Sequence, residues 1–283
     1  MFTSKSPEVP LIIAGPCLGE SYSIMDEVAS ALCSMSKTLN FSYIFKASFD
    51  KANRQSIDSY RSPGSDKVFS WFSDIKSRYQ CETITDVHES HQVKEIADSV
   101  DALQIPAFLC RQTDLVTAAV QTGKFVNIKK GQFMSPHAMV HVINKAKAAA
   151  KAIDPHRKAN IALTERGTCF GYGDLIVDMR SFANMAPSQV PLIFDVTHST
   201  QRPGNTGDSS SSYTREYAPI LARAAAATGK LSGFYIEVHP KPSTAKSDAG
   251  AQLSIPQFES LVKQIIPLWK QAKELQSIDA SFL

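Results

Sequence analysis

Residues 192–199 read LIFDVTHS, a short apolar run that passes into polar residues and a histidine, His198. A strand that is buried on both faces should be nearly all apolar, because a packed interior leaves no water to solvate a charge. Polar side chains at the end of such a strand therefore indicate a use other than packing. We interpret this run as a buried parallel strand whose carboxyl end carries functional groups.

The same pattern occurs eight times along the chain. The other seven runs are LIIAGPC (11–17), YIFKAS (43–48), ETITDV (82–87), ALQIPA (102–107), FVNIKK (125–130), NIALTER (160–166) and GFYIEVHP (233–240). At or near their ends they carry Cys17, Lys46, Asp86, Gln104, Lys129, Arg166 and Glu237. Helical patterns fill most of the gaps, over 22–39, 65–79, 89–99, 112–122, 136–152, 174–185, 214–229 and 256–275. Eight β–α units with polar strand ends predict an α/β fold of the TIM (β/α)8 barrel type, whose active site lies at those ends.

The composition fits a single catalytic domain over residues 1–283, because a barrel of this type takes about 250 residues. The net charge of +3 is too mild to indicate a nucleic-acid or membrane partner. The apolar runs are only strand-length and the N-terminus has no apolar signal segment, so we expect neither a transmembrane helix nor secretion. The five cysteines are scattered without a CxxC pair, which is typical of reduced thiols in a cytoplasmic protein.

Nine cationic side chains lie at predicted strand ends or in the loops just after them. They are Lys46, Lys51, Arg54, Arg61, Arg111, Lys129, Lys130, Arg166 and Arg202. Each alone is best interpreted as a solvated surface charge, but together they would make one face of the barrel locally positive. Arginine offers a fork of donors to phosphates and carboxylates, and lysine offers a point charge. The set therefore predicts a substrate that carries such groups.

Lys129 has a second interpretation. A lysine on a strand can form a Schiff base with a carbonyl substrate, as in class I aldolases. That role needs a desolvated amine with a lowered pKa, and the neighbouring cations would favour such a shift. The residues alone leave this alternative open.

Four possible metal ligands, far apart in sequence, follow the first, seventh and eighth predicted strands. They are Cys17, His198, Glu237 and Asp248. These strands are neighbours in a closed eight-stranded barrel, so the side chains can converge. A thiolate, an imidazole and two carboxylates suit a divalent transition ion, and Zn²⁺, Fe²⁺ and Mn²⁺ all remain possible. Singly, each residue also has an ordinary structural interpretation, such as a packed cysteine or a hydrogen-bonded histidine.

Two connections after predicted strands do not have a simple helical pattern. Segment 46–64 is polar and ends in Pro63 and Gly64, and segment 199–213 is rich in serine and glycine. The composition of the second is typical of a disordered surface loop. It is equally compatible with a lid that orders over the substrate, because lids are drawn from the least stable parts of a structure.

Several segments together resemble the 3-deoxy-D-manno-octulosonate-8-phosphate synthase family. They are KASFDKANR (46–54), TDVHE (85–89), LQIPAFLCRQTDL (103–115), NIKKGQF (127–133), ERGTCFGYGDLIVDMR (165–180), FDVTHSTQRPG (194–204) and IEVHPKPSTAKSDAGAQL (236–253). With GPC in the first strand they cover nearly the whole chain, and KASFDKANR with RQTDL and FDVTHS is highly specific. The resemblance implies a homotetrameric TIM barrel that condenses phosphoenolpyruvate with D-arabinose 5-phosphate. The product would serve lipopolysaccharide (Kdo) biosynthesis.

The resemblance also implies roles for individual residues. Five would hold phosphoenolpyruvate: Lys51, Gln104, Lys129, Arg166 and His198. Lys46 and Asp86 would belong to the same charged network. The sugar phosphate would meet Ser48, Asn53 and Arg54, and also Arg111 from across a subunit interface.

The family has metal-dependent members with cysteine at the position of Cys17 and metal-independent members with asparagine there. The resemblance therefore implies a metal site made by Cys17, His198, Glu237 and Asp248. The serine-rich stretch NTGDSSSSY (205–213) departs from the family pattern and does not align residue by residue.

Rival functions remain to be separated. A related synthase for the seven-carbon shikimate precursor or for sialic acid would share the barrel and the phosphoenolpyruvate residues, but KANR (51–54) favours arabinose 5-phosphate. A barrel that only binds or assembles is disfavoured, because buried ionisable groups are costly without a use.

Overall fold

The computed structural model of the protein describes residues 8–54, 56–169, 173–202 and 214–275. The strands in these ranges are β1 (Leu11–Gly15), β2 (Ser42–Lys46), β3 (Glu82–Asp86), β4 (Ala102–Ile105), β5 (Phe125–Lys129), β6 (Ile161–Glu165), β7 (Thr168–Cys169), β8 (Leu175–Ile176), β9 (Leu192–Asp195) and β10 (Gly233–Glu237). All except β7 and β8 form a closed parallel barrel, in which β6 pairs with β9 and β10 pairs with β1. The predicted TIM barrel is therefore confirmed.

Helices alternate with the barrel strands. They are α1 (Tyr22–Thr38), α2 (Ser65–Tyr79), α3 (Val93–Ser99), α4 (Thr113–Gln121), α5 (Met139–Ile153), α6 (Arg180–Met185), α7 (Ala218–Ala227) and α8 (Ile255–Glu274). Each begins within a few residues of its prediction except α6, where the predicted helix over 174–185 is wrong in its first half. There β8 pairs antiparallel with β7. Gly167 and Gly173 both have positive φ, so the chain turns at these points and forms a ribbon before the helix begins.

The alternation of side chains along the strands explains the polar strand ends. Successive residues of a strand point to opposite faces, so every second residue of a barrel strand points inward. Nine buried apolar side chains, from Leu11 on β1 to Tyr235 on β10, form a separate cluster of their own. On most barrel strands the residue two positions after a member of this cluster is polar, as with Ile84 and Asp86. The polar strand ends therefore lie directly above a buried apolar layer inside the barrel.

Close packing of β1 against β2 fixes the position of the first polar side chain at the barrel mouth. Gly15 ends β1 beside β2, and a methyl group at this position would overlap the carbonyl oxygen of Lys46. Glycine is therefore required for the backbone approach that sets the height of Lys46 in the barrel. Among the described residues, no helix is long and apolar enough to span a membrane.

Candidate active site

Two lysines and a carboxylate meet at the ends of β2 and β3. Lys46 and Lys51 both donate to the Ser48 hydroxyl, at 3.0 and 2.9 Å, and Ser48 donates to Asp86. Lys46 Nζ also lies 3.6 Å from Asp86 Oδ2. The Gln104 amide donates to the other oxygen of Asp86 at 2.5 Å. The structure therefore brings together five residues that the sequence pointed to.

The charges in this cluster fix the protonation states of its members. Burial alone would raise the pKa of Asp86, but Lys46 and Lys51 outweigh it and hold that pKa well below its usual range. Burial would likewise lower the pKa of Lys51. The Cys17 side chain and the Glu237 carboxylate outweigh that effect and raise the pKa of Lys51. At neutral pH Asp86 is therefore an anion and Lys51 a cation.

A second cluster surrounds Lys129. Its ammonium donates to Asp195 Oδ2 at 2.6 Å and lies 3.4 Å from His198 Nδ1. The same Asp195 oxygen lies 2.9 Å from His198 Nδ1. The ring of Tyr235 lies against this group, with Lys129 Nζ 3.5 Å from the ring centroid, and a desolvated cation–π contact of this kind stabilises the ammonium. Burial lowers the pKa of Lys129, whereas Asp195 acts in the opposite direction.

Arg166 is a further buried cation in the same region. Its Nη2 donates to the backbone oxygen of His198 at 3.0 Å and to the side chain of Gln201. Its Nε is buried and has no hydrogen-bond partner within the described ranges. Buried donors are nearly always paired, so this guanidinium is suited to an additional anionic acceptor.

Four potential metal ligands converge where β9, β10 and β1 are neighbours. One ligand atom each from Cys17, Glu237 and Asp248 lies within 4.8 Å of the others. Cys17 Sγ is 3.2 Å from Asp248 Oδ2. His198 Nε2 is 3.5 Å from Glu237 Oε1 and 3.4 Å from Asp248 Oδ2. We call these four residues the metal corner.

The chemistry of the metal corner fits a divalent cation. Glu237 Oε2 is buried and has no hydrogen-bond partner in the described part of the chain. Burial, followed by the charges of Asp248 and Glu237, raises the pKa of the Cys17 thiol. A cation here would satisfy the carboxylate oxygen and favour the thiolate, because a bound metal inverts the local effect of crowded anions.

Three residues expected to meet the sugar phosphate lie farther out. The Arg54 guanidinium donates to the Tyr60 carbonyl at 3.0 and 2.7 Å and to Ser247 Oγ at 3.1 Å. It thereby joins the loop after β2 to the loop after β10. The side chains of Asn53 and Arg111 are exposed.

Not all nine cations of the predicted set face the mouth of the barrel. Three pair with carboxylates of their own: Arg61 with Asp50, Arg202 with Asp174 and Lys130 with Glu165. Lys130 is fully buried and also contacts backbone oxygens of the loops after β5 and β6, so it connects these loops. The possible lid over 199–213 lies outside the described residues from position 203 onward.

Sequence reasoning missed Asp195 and Tyr235. Asp195 is fully buried, ends β9 and contacts both Lys129 and His198. It has the same signal as the other strand ends, an ionisable residue that closes an apolar run, but the run continues through Val196 and Thr197 to His198, which is the more conspicuous end. Tyr235 carries no such signal, because an aromatic residue inside a strand is ordinary core.

A TIM barrel whose mouth collects buried cations beside a thiol, imidazole and carboxylate cluster defines an enzyme that acts on polyanionic substrates. The chain belongs to the DAHP synthetase I family, whose family model matches residues 7–276.

Curated relatives narrow the family further. A protein of Fusobacterium nucleatum is 48% identical over 263 residues, which cover 93% of this chain and 91% of that protein. A Helicobacter hepaticus protein is 46% identical over 272 residues, covering 95% and 97%. A Rickettsia canadensis protein is 45% identical over 264 residues, covering 93% of each. All three are named 2-dehydro-3-deoxyphosphooctonate aldolase.

Proposed function

We propose that the protein is a 3-deoxy-8-phosphooctulonate synthase, the activity that its relatives' name denotes. It condenses phosphoenolpyruvate with D-arabinose 5-phosphate and water to give 3-deoxy-D-manno-octulosonate 8-phosphate and inorganic phosphate. The product supplies Kdo for lipopolysaccharide. The observation that carries this proposal is the ring of Lys46, Lys51, Lys129 and Arg166 in a barrel whose relatives share its length and nearly half its sequence.

The reaction explains why the site collects cations. C3 of phosphoenolpyruvate forms a bond to the aldehyde carbon, water forms a bond to C2, and phosphate leaves as the C2–O bond breaks. Two phosphates and a carboxylate must therefore lie close together. Preorganised cations offset their repulsion, and holding two substrates together removes a large part of the barrier.

Individual residues divide this work. Arg166 and Lys129 bind the phosphate and carboxylate oxygens of phosphoenolpyruvate, with Asp195 holding Lys129 in place. Lys51 and Gln104 contact the same substrate. Lys46, Asp86 and His198 hold or move protons, and Lys46 Nζ lies 3.6 Å from Asp86 Oδ2.

The metal corner supports a divalent cofactor, Zn²⁺, Fe²⁺ or Mn²⁺, held by Cys17, His198, Glu237 and Asp248. Such an ion polarises a carbonyl or orients a water molecule. Hydrogen bonds with neighbouring side chains hold Cys17 in place. Ser247 Oγ lies 3.2 Å from Cys17 Sγ and accepts a hydrogen bond from Arg54.

The arabinose phosphate end of the site is completed by Ser48, Asn53 and Arg54. Arg111 serves the same phosphate in a neighbouring subunit of a homotetramer. Its exposure in a single chain supports this role, because an exposed guanidinium is accessible to a neighbouring subunit.

Light scattering measures the molar mass in solution and tests the homotetramer. Cell fractionation tests the proposed cytoplasmic location.

A class I aldolase mechanism through Lys129 is the alternative. Burial lowers the pKa of Lys129, as that mechanism requires, but the contact of 2.6 Å with Asp195 favours the charged ammonium, which is not nucleophilic. The condensation with phosphoenolpyruvate is therefore the better account.

Product identity tests the function. Purified protein is incubated with phosphoenolpyruvate and, in separate reactions, D-arabinose 5-phosphate or the four-carbon D-erythrose 4-phosphate, and the products are analysed by mass spectrometry. We expect the eight-carbon acid phosphate as the main product. Preferential formation of the seven-carbon product would assign the chain to the other branch of its family.

A further inference from the structure

A row of hydrogen-bonded side chains crosses the inside of the barrel beneath the site. Asp86, Gln104 and Asn127 are register partners on the adjacent strands β3, β4 and β5. The Asn127 amide donates to Gln104 Oε1 at 2.9 Å, and the Thr164 hydroxyl of β6 donates to Asn127 Oδ1 at 2.6 Å. We call these four residues the amide row. All four are buried, with Asn127 and Thr164 at 0% exposure.

The charge at one end of the amide row fixes the direction of every bond. Lys46 and Lys51 keep Asp86 ionised, so this carboxylate only accepts hydrogen bonds. Gln104 must therefore turn its NH₂ group toward Asp86, which leaves Oε1 facing Asn127. Asn127 must in turn offer its own NH₂ group, and its Oδ1 then accepts from Thr164. Only one arrangement gives every neighbouring pair in the row a hydrogen bond, so the two amide orientations are determined by the contacts.

The fixed bond directions determine which hydrogen-bonding groups of Gln104 remain available. Its Oε1 accepts from Asn127 and one of its two amide hydrogens binds Asp86. The second amide hydrogen has no partner among the described residues, although the side chain is only 3% exposed. If the amide were flipped, its oxygen would face the Asp86 carboxylate and the site would receive an acceptor instead of a donor. An acceptor repels an anionic substrate.

We propose that Asn127 and Thr164 are positioning residues that hold the Gln104 amide with a donor directed at phosphoenolpyruvate. This inference rests on the proposed function, and it deepens that function by adding two residues that do not touch the substrate. Both residues act only through Gln104. Buried amide networks of this kind are rigid when every member is paired, because an unpaired buried polar group is costly.

The proposal predicts a selective loss of one substrate. Asn127→Leu keeps the size of the side chain but removes both of its bonds, and Thr164→Val removes the last hydroxyl of the row. We expect the KM for phosphoenolpyruvate to rise about tenfold in Asn127→Leu, the effect of losing one hydrogen bond to a charged group, and about threefold in Thr164→Val. The KM for arabinose 5-phosphate and kcat should change by less than about twofold, because neither variant removes a contact to the sugar phosphate.

Two controls separate positioning from a general loss of structure. Thr164→Ser retains the hydroxyl and should restore the wild-type KM for phosphoenolpyruvate. Ser42→Ala removes another buried hydroxyl, at the start of β2, which has no hydrogen-bond partner in the described ranges and lies outside the amide row. It should leave both KM values unchanged. Thermal unfolding of each variant is measured alongside.

The outcomes are distinguishable. An unchanged KM for phosphoenolpyruvate in Thr164→Val, or equal increases in both KM values, overturns the proposal even if Asn127→Leu does not fold. The proposal is supported if the KM for phosphoenolpyruvate alone rises in Thr164→Val and keeps its wild-type value in Thr164→Ser. If the wild-type protein does not consume phosphoenolpyruvate with arabinose 5-phosphate at all, the proposed function fails, and this inference fails with it for a reason that the wild-type assay alone identifies.

Discussion

Among single residues, the buried charged ones determine both the geometry of the site and its contribution to stability. Asp195 is fully buried between Lys129 and His198, so it neutralises one cation and orients the other group. Removing one partner of a buried ion pair leaves an uncompensated charge, which is far more damaging than removing an exposed pair. The residues that matter most for the site are therefore also residues on which stability depends.

Asp195→Asn tests this. The variant keeps the shape but removes the negative charge, so Lys129 loses its counterion. We expect kcat to fall about 100-fold or more and the free energy of unfolding to fall by about 3–5 kcal/mol. Steady-state kinetics and urea unfolding measure the two effects. Asp178→Asn, which removes an exposed partner of Arg180, is the matched control and should leave both values unchanged. Wild-type activity in Asp195→Asn would show that the pair has no role in the reaction.

Asp86 makes stability depend on pH. Its pKa is lowered in the folded protein, so it contributes stability above the unfolded pKa of about 3.9 and loses that contribution as pH falls toward the folded value. We expect the free energy of unfolding to decrease between about pH 5 and about pH 3, and to decrease less steeply in Asp86→Asn. Urea unfolding at several pH values gives both slopes. Parallel slopes would mean that Asp86 is not held as an anion by the two lysines.

A residue of the site could be predicted from the sequence only where a polar group interrupts an apolar run. Cys17, Lys46 and Glu237 have that signal, and the structure places each at the mouth of the barrel. Asn127 lies between two apolar residues of β5 and Thr164 follows three apolar residues of β6, so their side-chain bonds cannot be inferred without the register of neighbouring strands. The role of Arg111 across a subunit interface is implied only by the family resemblance, and it stays a prediction.

At the scale of elements, the periodicity of apolar residues predicted the strands and most helices. The error over 174–185 arose because a short antiparallel ribbon has no periodicity of its own and depends on two turns with positive φ. The helix that follows the metal corner is better defined by its sequence. Ser254 and Gln257 form a capping box at the start of α8, and Phe258 and Leu261 are buried on its inner face.

Ser254→Ala tests the contribution of this cap. The serine hydroxyl accepts from the Gln257 N–H at 3.3 Å, and an alanine would leave that N–H without this acceptor. We expect a loss of about 1 kcal/mol, which corresponds to a decrease in Tm of about 2–4 °C. Differential scanning calorimetry measures the change. Ser260→Ala, on the exposed face of the same helix, should not lower Tm, and an equal decrease in both variants would argue against a specific cap.

At the scale of the whole molecule, the closed barrel brings the ends of strands that are far apart in sequence to one mouth. Strand order places β9, β10 and β1 side by side, so Cys17 and Asp248 meet although 230 positions lie between them. The cations of β2, β5 and β6 lie on the remaining arc. The sequence predicted this division once the barrel was assumed, because strand order follows from closure. The identity of the metal does not follow, since the donor set suits several ions.

We propose that this mouth condenses phosphoenolpyruvate with arabinose 5-phosphate and needs a divalent ion held by the metal corner. The most direct measurement is phosphate release by the purified protein, with each substrate alone, with both, and with both after exhaustive chelation. We predict release only when both substrates are present, loss after chelation, and recovery when Zn²⁺, Fe²⁺ or Mn²⁺ is restored. Full activity in metal-free protein, or no release with both substrates and metal present, would contradict the account.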